Sequence, residues 1–232
     1  MARPFNLQAL EYVPAVSVTD QVFDALYDRI VELDLRPGTR LSEVEVARQM
    51  EVSRQPVRDA FYRLSQLGFL LVRPQRPTTV TAISARAVLE ARFMRTAIEL
   101  ETVRLATERL DEAGCSTLRE ILDRQQAAIE ADHKIEFHAL DDEFHKALCE
   151  IAGAGFVWSM IRDKKAHMDR ARFLSLSSGA KNALADHLRI MEALEAGNAE
   201  AARERMREHL SRIVDILEQI KIERGEDMID ES

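Results

Sequence analysis

The sequence predicts a mainly α protein in two parts: an N-terminal winged helix-turn-helix of three helices and a small β-hairpin, then an antiparallel all-α bundle of about six helices. Three short helical patterns come first, and two short apolar runs flanking a basic tip follow them. From Ser84 onward the pattern changes to long helical segments with few breaking residues. A helix, a helix-turn-helix and a hairpin in this order describe a winged domain.

The first helix is predicted over residues 18–33 and ends before a Pro-Gly turn, because proline cannot continue the hydrogen-bond ladder. Its apolar residues recur at helical spacing: Val22, Leu26, Ile30 and Leu33. Ser42 with Glu45 three residues later has the form of a capping box and predicts a short second helix. Ser53 is the expected cap of a third helix, which Gly68 ends.

Two apolar, partly β-branched runs at 69–72 and 78–81 predict the strands of the hairpin, with Arg73-Pro-Gln-Arg-Pro77 as its tip. Beyond them the apolar spacing predicts helices near 84–110, 113–131, 133–152, 156–176, 181–197 and 199–222. The predicted organisation is an N-terminal arm, a winged domain, a helical effector-binding and dimerisation domain, and a frayed acidic tail: 1–17, 18–82, 83–222 and 223–232.

Composition excludes several classes of protein. The apolar stretches are broken by charges, so no membrane span is expected, and the absence of a secretory signal predicts a cytoplasmic protein. Cys115 and Cys149 lack the spacing of a zinc knuckle or a disulfide framework. The net charge is −8, but residues 1–83 hold 10 arginines and 10 acidic residues, so the excess acid lies in the second part.

The start of the third helix carries the pattern expected of a DNA-reading element. In a helix-turn-helix this turn enters the major groove, where Ser53, Arg54 and Gln55 offer hydrogen-bond donors and little bulk. Arg58, one turn later, reaches either a base or a phosphate. The wing-tip residues Arg73 and Arg76 are predicted to meet phosphates or the minor groove. Double-stranded operator DNA is therefore the predicted partner.

A second constellation has the residue types of a metal site. Asp141 and His145 lie four residues apart on a predicted helix, so both side chains share one face. A carboxylate with imidazoles suits zinc, manganese, nickel or a similar divalent metal. His187 and His209 fall on two other predicted helices. Spacing alone is a weak signal here, because such pairs are common on exposed helices.

Residues 35–70, LRPGTRLSEVEVARQMEVSRQPVRDAFYRLSQLGFL, resemble the DNA-binding domain of GntR-family regulators, and the resemblance extends over residues 18–82. The helical remainder is similar to the effector domain of the FadR subgroup, the FCD type. This resemblance implies a homodimeric transcription regulator, most often a repressor, that is controlled by a small organic acid.

The resemblance also implies a ligand set. The run Asp141-Asp-Glu-Phe-His145 matches the family pattern D-x-x-F-H, and His187 and His209 stand where two later helices each supply one histidine. A divalent transition metal would then be held by these four side chains. An arginine would pair with the effector acid, and Arg95 matches the R-x-x-x-E stretch of the first bundle helix. Arg92 and Arg172 are further candidates.

Two alternatives stay open from the sequence. A helical site with one aspartate and three histidines is also able to activate water, which describes a metal-dependent hydrolytic enzyme. Alternatively, the chain is a dimeric DNA-binding protein whose metal is purely structural. The sequence offers no general base paired with a nucleophile, and the first alternative leaves the winged domain unexplained.

Overall fold

The computed structural model describes residues 17–73, 75–225 and 228–231. The predicted N-terminal arm, apart from Ser17, lies outside the described residues, as does one residue of the wing tip. Within the described part the protein is mainly helical, with ten α-helices and five short strands. None of the helices in that part is both long and apolar enough to cross a membrane.

The winged domain contains α1 (Val18–Val31), α2 (Glu43–Gln49) and α3 (Arg54–Gln66). The Ser17 hydroxyl caps α1 by accepting a hydrogen bond from the Asp20 backbone N–H at 3.0 Å. The predicted capping box at the start of α2 does not form, because Glu45 pairs with Arg48 at 2.6 Å instead. The apolar residues of α3 face inward, as its spacing predicts: Val57, Ala60, Phe61 and Leu64.

Three strands complete the wing: β1 (Arg40–Leu41), β2 (Leu70–Leu71) and β3 (Thr78–Val80). Strand β3 lies in the middle and pairs antiparallel with both neighbours. The predicted hairpin therefore forms, and β1 is an addition that the sequence did not indicate. A two-residue strand carries too little alternation to be recognised before its partner is known.

Seven helices form the second part, and they are α4 (Ala85–Arg109), α5 (Glu112–Glu130), α6 (Lys134–Ile151), α7 (Phe156–Lys164), α8 (Ala166–Glu195), α9 (Ala199–Ser211) and α10 (Ile213–Arg224). The predicted break at residues 177–180 was wrong, since α8 continues through it and the break lies at Lys165. Serine and glycine weaken a helix by less than about 1 kcal/mol each, which packing on both sides overrides. The predicted last helix divides at Arg212.

The acidic tail was predicted to be frayed, and this was wrong for its described part. Strand β4 (Ile83–Ser84) pairs in parallel with β5 (Ile229–Asp230). Ile229 is buried in a cluster with Ile83 and Ile220. Strand pairing and the burial of Ile229 outweigh the acidity of this region, so Ile229 and Asp230 lie against the segment that joins the two parts.

Candidate functional site

The residues predicted to read DNA lie together on the exposed start of α3. Arg54, Gln55 and Arg58 are all exposed, and Ser53 occupies the N-cap position. Burial of the opposite side of α3 against α1 leaves this turn facing outward. The wing residues Arg73 and Arg76 are also exposed. The geometry is the one expected of a recognition helix beside a wing.

Sequence reasoning missed Glu43, the first residue of α2. Its carboxylate lies 3.6 Å from Arg54 Nη2 and 3.5 Å from Arg58 Nε, so one acid engages both arginines. Gln55 in turn donates to Asp59 at 2.9 Å. These side chains therefore already have partners within the protein, which any contact with DNA would have to replace. Exposed pairs of this kind contribute little to stability, so giving them up would cost little free energy.

A buried cluster joins the four predicted metal ligands. Atoms of Asp141, His145, His187 and His209 lie within 4.8 Å of one another. Helix α6 supplies the first two from one face, while α8 and α9 supply one histidine each. The Nε2 atoms of His145 and His209 are 3.2 Å apart, and His187 Nε2 lies 3.6 Å from Asp141 Oδ1. The imidazole edges therefore converge on one point.

Each histidine of the cluster has a different polar group near its other ring nitrogen. Glu99 Oε2 lies 2.6 Å from Nδ1 of His145, Gln125 Oε1 lies 2.9 Å from Nδ1 of His187, and Asp186 Oδ2 lies 3.5 Å from Nδ1 of His209. The Gln125 contact is a hydrogen bond, and all three groups stand where the outer partners of metal-bound histidines stand. Sequence reasoning assigned this role to none of the three.

The electrostatics of the cluster suit a cation. Burial lowers the pKa of His187 well below its usual range and that of His209 to about 4, so both rings are neutral ligands at neutral pH. Burial alone would raise the pKa of Asp141, but Arg172 and the histidines outweigh it and hold that pKa well below its usual range. The cluster thus presents a carboxylate and, at His187 and His209, two neutral imidazoles, the protonation states that metal binding requires.

Four buried side-chain atoms of the cluster have no hydrogen-bond partner among the described residues: Asp141 Oδ2, His187 Nε2 and the Nδ1 atoms of His145 and His209. Buried polar atoms are nearly always satisfied, so several unpartnered atoms in one cluster need an explanation. One carboxylate and three imidazoles match the donor set of a divalent transition metal, and the residues present therefore fit such an ion.

Comparison with known proteins identifies two regions of this chain. Residues 18–80 match "Bacterial regulatory proteins, gntR family", and residues 90–212 match the FCD domain. The chain belongs to the GntR family. The HTH-type transcriptional repressor RspR of Escherichia coli strain K12 is 37% identical over 215 residues, covering 92% of this chain and 94% of that protein. The family resemblance inferred from residues 35–70 is confirmed, and the chain is a DNA-binding transcriptional regulator.

Solved structures share the architecture. Escherichia coli McbR/YncC superposes with a TM-score of 0.73 at 26% identity, covering 88% of this chain and 99% of that one. The structure of a GntR protein from Rhodococcus sp. RHA1 gives a TM-score of 0.70 at 26% identity, covering 86% of this chain and 97% of that one. These matches confirm the predicted fold class of this GntR-family chain, a winged helix-turn-helix followed by a helical FCD domain.

A cavity of about 380 Å³ opens beside the cluster inside the FCD domain. His209 contributes to its wall, together with Arg95, Arg172 and Arg212. Arg95 was the predicted effector ligand, but Glu99 already engages its Nε at 2.5 Å and its Nη2 at 3.3 Å. Arg172 pairs with Asp141 through Nη2, and its Nη1 has no hydrogen-bond partner among the described residues.

Proposed function

We propose that this GntR-family regulator is a repressor whose α3 reads an operator and whose FCD domain holds a divalent transition metal and a small organic acid that together set operator affinity. The observation that carries the proposal is the buried cluster of one aspartate and three histidines, with its separately oriented rings and its adjoining arginine-lined cavity. The similarity to a protein named as a transcriptional repressor supports repression rather than activation.

For DNA reading, we assign base contacts to Ser53, Arg54 and Gln55, a base or phosphate contact to Arg58, and backbone or minor-groove contacts to Arg73 and Arg76. Their exposure and their position on α3 and the wing support this assignment. Glu43 holds Arg54 and Arg58 in the free protein and releases them on DNA.

Arg54→Ala is expected to weaken operator binding by about 1–3 kcal/mol, because a bidentate arginine contact to a guanine edge is lost. Binding to unrelated duplex should change far less. Fluorescence anisotropy at fixed salt, with a duplex selected in vitro from random sequence and a scrambled duplex, measures both affinities.

Arg86→Ala is the matched control, since Arg86 lies exposed on α4 and pairs only locally with Glu90 at 2.9 Å. It should leave both affinities unchanged. Equal losses on the selected and scrambled duplexes in Arg54→Ala would mean that Arg54 contacts phosphate and reads no base.

In the FCD domain, Asp141, His145, His187 and His209 would hold the metal, which we expect to be zinc, manganese or nickel. When bound, such an ion supplies a Lewis-acidic centre able to accept a carboxylate oxygen. Glu99, Gln125 and Asp186 orient the rings, as their distances to the Nδ1 atoms indicate.

For the effector, we propose that Arg172 contributes the principal ion pair, while the role predicted for Arg95 stays a prediction. Arg172 lines the cavity and its Nη1 has no hydrogen-bond partner among the described residues, whereas Nη1 and Nη2 of Arg95 both have partners. Of the described residues that line the cavity, three are arginines and one, Asp215, is acidic. This excess of positive charge favours an anion as the ligand. A guanidinium binds a carboxylate through paired donors.

The acid that binds most tightly is first chosen from a panel of mono-, di- and tricarboxylic acids. Arg172→Gln is expected to weaken the binding of that acid by about 1.5–3 kcal/mol, the usual contribution of a hydrogen bond to a charged group. Isothermal titration of Zn²⁺-loaded protein measures the affinity. Arg119→Gln is the control, because Arg119 is exposed and pairs with Glu195 at 2.6 Å. An unchanged affinity in Arg172→Gln would exclude this arginine as the effector ligand.

We also propose a homodimer, with the winged domain over residues 18–82 and the effector and dimerisation domain over 83–222. Four large apolar side chains lie exposed on α4 and α7: Leu89, Phe93, Phe156 and Met160. A group of exposed apolar side chains is typical of a surface that associates with another protein. Two copies would present two α3 helices to a near-palindromic operator. Sedimentation at micromolar concentration tests the dimer directly.

The other two functions left open by the sequence give different results in the same assays. A hydrolytic enzyme would show turnover that disappears in His145→Ala. A purely structural metal would stabilise the fold, yet no organic acid would change operator affinity in the metal-loaded protein. The relatives named above are transcription regulators, which supports the effector-controlled form.

A further inference from the structure

A second cavity, of about 890 Å³, lies between the winged domain and the FCD helices; we call it the interdomain cavity. Its walls come from α1 and α3 on one side and from α6, α7 and α8 on the other. It shares no lining residue with the arginine-lined cavity beside the candidate metal cluster, so the two spaces are separate. Neither DNA reading nor the proposed metal and effector centre uses it.

The charge of the interdomain cavity is predominantly negative. Five carboxylates line it: those of Asp24, Asp28, Glu32, Asp142 and Asp169. Three cationic side chains oppose them: Arg63, Arg162 and Lys165. The Arg63 guanidinium pairs at 2.7 Å with Asp20, which is not part of the wall, so some of the opposing charge is already balanced. The excess of acid is the reverse of the charge in the arginine-lined cavity.

Three of the acids stand in a row on α1 and its C-cap. Asp24, Asp28 and Glu32 are four residues apart, so their side chains are neighbours about 5–6 Å apart on one face. Among the described residues, none of the three side chains has a hydrogen-bond or ion-pair partner. Burial and the nearby Asp24 raise the pKa of Asp28, and burial and Asp28 raise that of Glu32. Such a row of like charges destabilises the helix unless a cation lies along it.

A buried ion network lines the cavity where α6 and α8 meet α1. Lys165 Nζ lies 2.6 Å from Asp169 Oδ1 and 2.7 Å from Asp142 Oδ2. Tyr27 of α1 donates its hydroxyl to Asp169 Oδ2 at 3.3 Å. One ammonium therefore serves two carboxylates. Asp142 Oδ1 and His138 Nδ1 are buried and have no hydrogen-bond partner among the described residues, so a ligand that donates hydrogen bonds here would satisfy them.

The remaining wall is apolar and partly aromatic. Phe23 and Tyr27 lie about one turn apart on α1 with ring centres 5.7 Å apart, and Phe173 of α8 adds a third ring. Ile135 of α6 also lines the cavity, although 59% of its surface is exposed. A surface of this kind gains free energy by covering methylene groups, which a hydrated metal ion does not offer. The ligand that fits therefore combines positive charges with an apolar chain.

We propose that the interdomain cavity binds an aliphatic polyamine, a chain of methylene groups that carries two or more ammonium groups. Its ammonium groups pair with the row of acids on α1 and with Asp142, while its methylene groups pack on Phe23 and Ile135. Charges a few carbons apart match carboxylates that lie one helical turn apart. The ligand contacts the winged domain and the FCD helices at once, and its binding does not depend on the metal site proposed above.

Isothermal titration of spermidine into the metal-free full chain, at fixed ionic strength, tests the proposal. We expect saturable binding of one spermidine per chain. The affinity for n-butylamine, which carries a single ammonium, should be lower by at least about tenfold, because fewer ion pairs form. Mg²⁺ at the same ionic strength should compete poorly, since it has charge but no apolar surface. Equal competition by Mg²⁺, or no saturable binding of spermidine, would overturn the proposal.

Asp28→Asn/Glu32→Gln is expected to weaken spermidine binding by about tenfold, because two partly exposed ion pairs are lost. Ile135→Ser should weaken it by about threefold through the loss of apolar contact. Glu120→Gln/Asp123→Asn is the matched control, which removes the same charge from exposed positions of α5 that do not line the cavity. It should bind spermidine as the wild-type protein does.

The control matters because the whole chain carries a net charge of −8, which attracts any polycation. Equal losses in the two double variants would mean that spermidine responds to this overall charge, and the cavity would be excluded as its site. Wild-type affinity in both Asp28→Asn/Glu32→Gln and Ile135→Ser would exclude it as well. A loss confined to these two variants supports the interdomain cavity as the polyamine site.

Discussion

His187→Ala is expected to abolish the stabilisation that a divalent metal gives to the folded protein. The His187 side chain is fully buried, and its Nε2 is one of the converging ligand atoms. A ligand at about a thousand times its Kd stabilises the folded state by about 4 kcal/mol. Removing one of four ligands should eliminate most of that gain. Thermal unfolding of chelator-treated protein, with and without Zn²⁺, measures the difference.

The relevant quantity is the metal-dependent shift, because the substitution also removes packing. His187 stacks on Phe144 with ring centres 4.4 Å apart, so the metal-free variant starts from a lower stability. His133→Ala is the control, since this histidine is exposed at the start of α6 and pairs with Glu136 at 3.2 Å. It should keep the full shift. A Zn²⁺ shift of wild-type size in His187→Ala would refute the proposed ligand set.

The sequence indicates only half of the candidate metal cluster by itself. Helical periodicity places Asp141 and His145 on one face, because four residues make about one turn. His187 and His209 come to the same point through the packing of α8 and α9 on α6, which no local pattern encodes. Only the family resemblance connected all four positions. Their roles as ligands remain a prediction that the melting experiment tests.

The orienting partners show where sequence reasoning ends. Glu99 is the acid of the R-x-x-x-E stretch, and the sequence shows its helical spacing to Arg95. Its contact with His145 was not, because that contact joins α4 to α6. Gln125 is an uncharged residue inside a helix, and nothing in the chain marks it as buried against His187. Tertiary packing creates both contacts.

The predicted helix boundaries in the second part were wrong for a related reason. Local composition predicted an end near the Ser-Ser-Gly run at 177–179, yet α8 continues to Glu195. Ala166 and Phe173 pack on the winged domain, while Leu184, Ile190 and Leu194 pack in the FCD core. Burial at both ends favours one continuous helix. The winged domain was easier to predict because its turns carry local signals in Pro37, Gly38 and Gly68.

Lys165→Met is expected to lower the free energy of unfolding by about 3–5 kcal/mol, the cost of leaving buried charges without their partner. Lys165 is 1% exposed and lies between two carboxylates, those of Asp142 and Asp169. Burial alone would lower the pKa of Lys165, but the two carboxylates outweigh it and raise that pKa. The ammonium is therefore charged in the folded protein, and methionine cannot replace it.

Urea denaturation followed by circular dichroism measures the loss, and Lys146→Met supplies the comparison. Lys146 and Glu150 pair at 3.5 Å with about half of each side chain exposed, so its removal should cost no more than about 0.5 kcal/mol. The double variant Lys165→Met/Asp169→Asn should recover part of the loss, because one uncompensated carboxylate is then removed. If Lys165→Met unfolded at the urea concentration of Lys146→Met, the two carboxylates would be adequately solvated without the lysine. The contact between α1, α6 and α8 would then depend on apolar packing alone, and the ion network would contribute nothing to holding the two parts together.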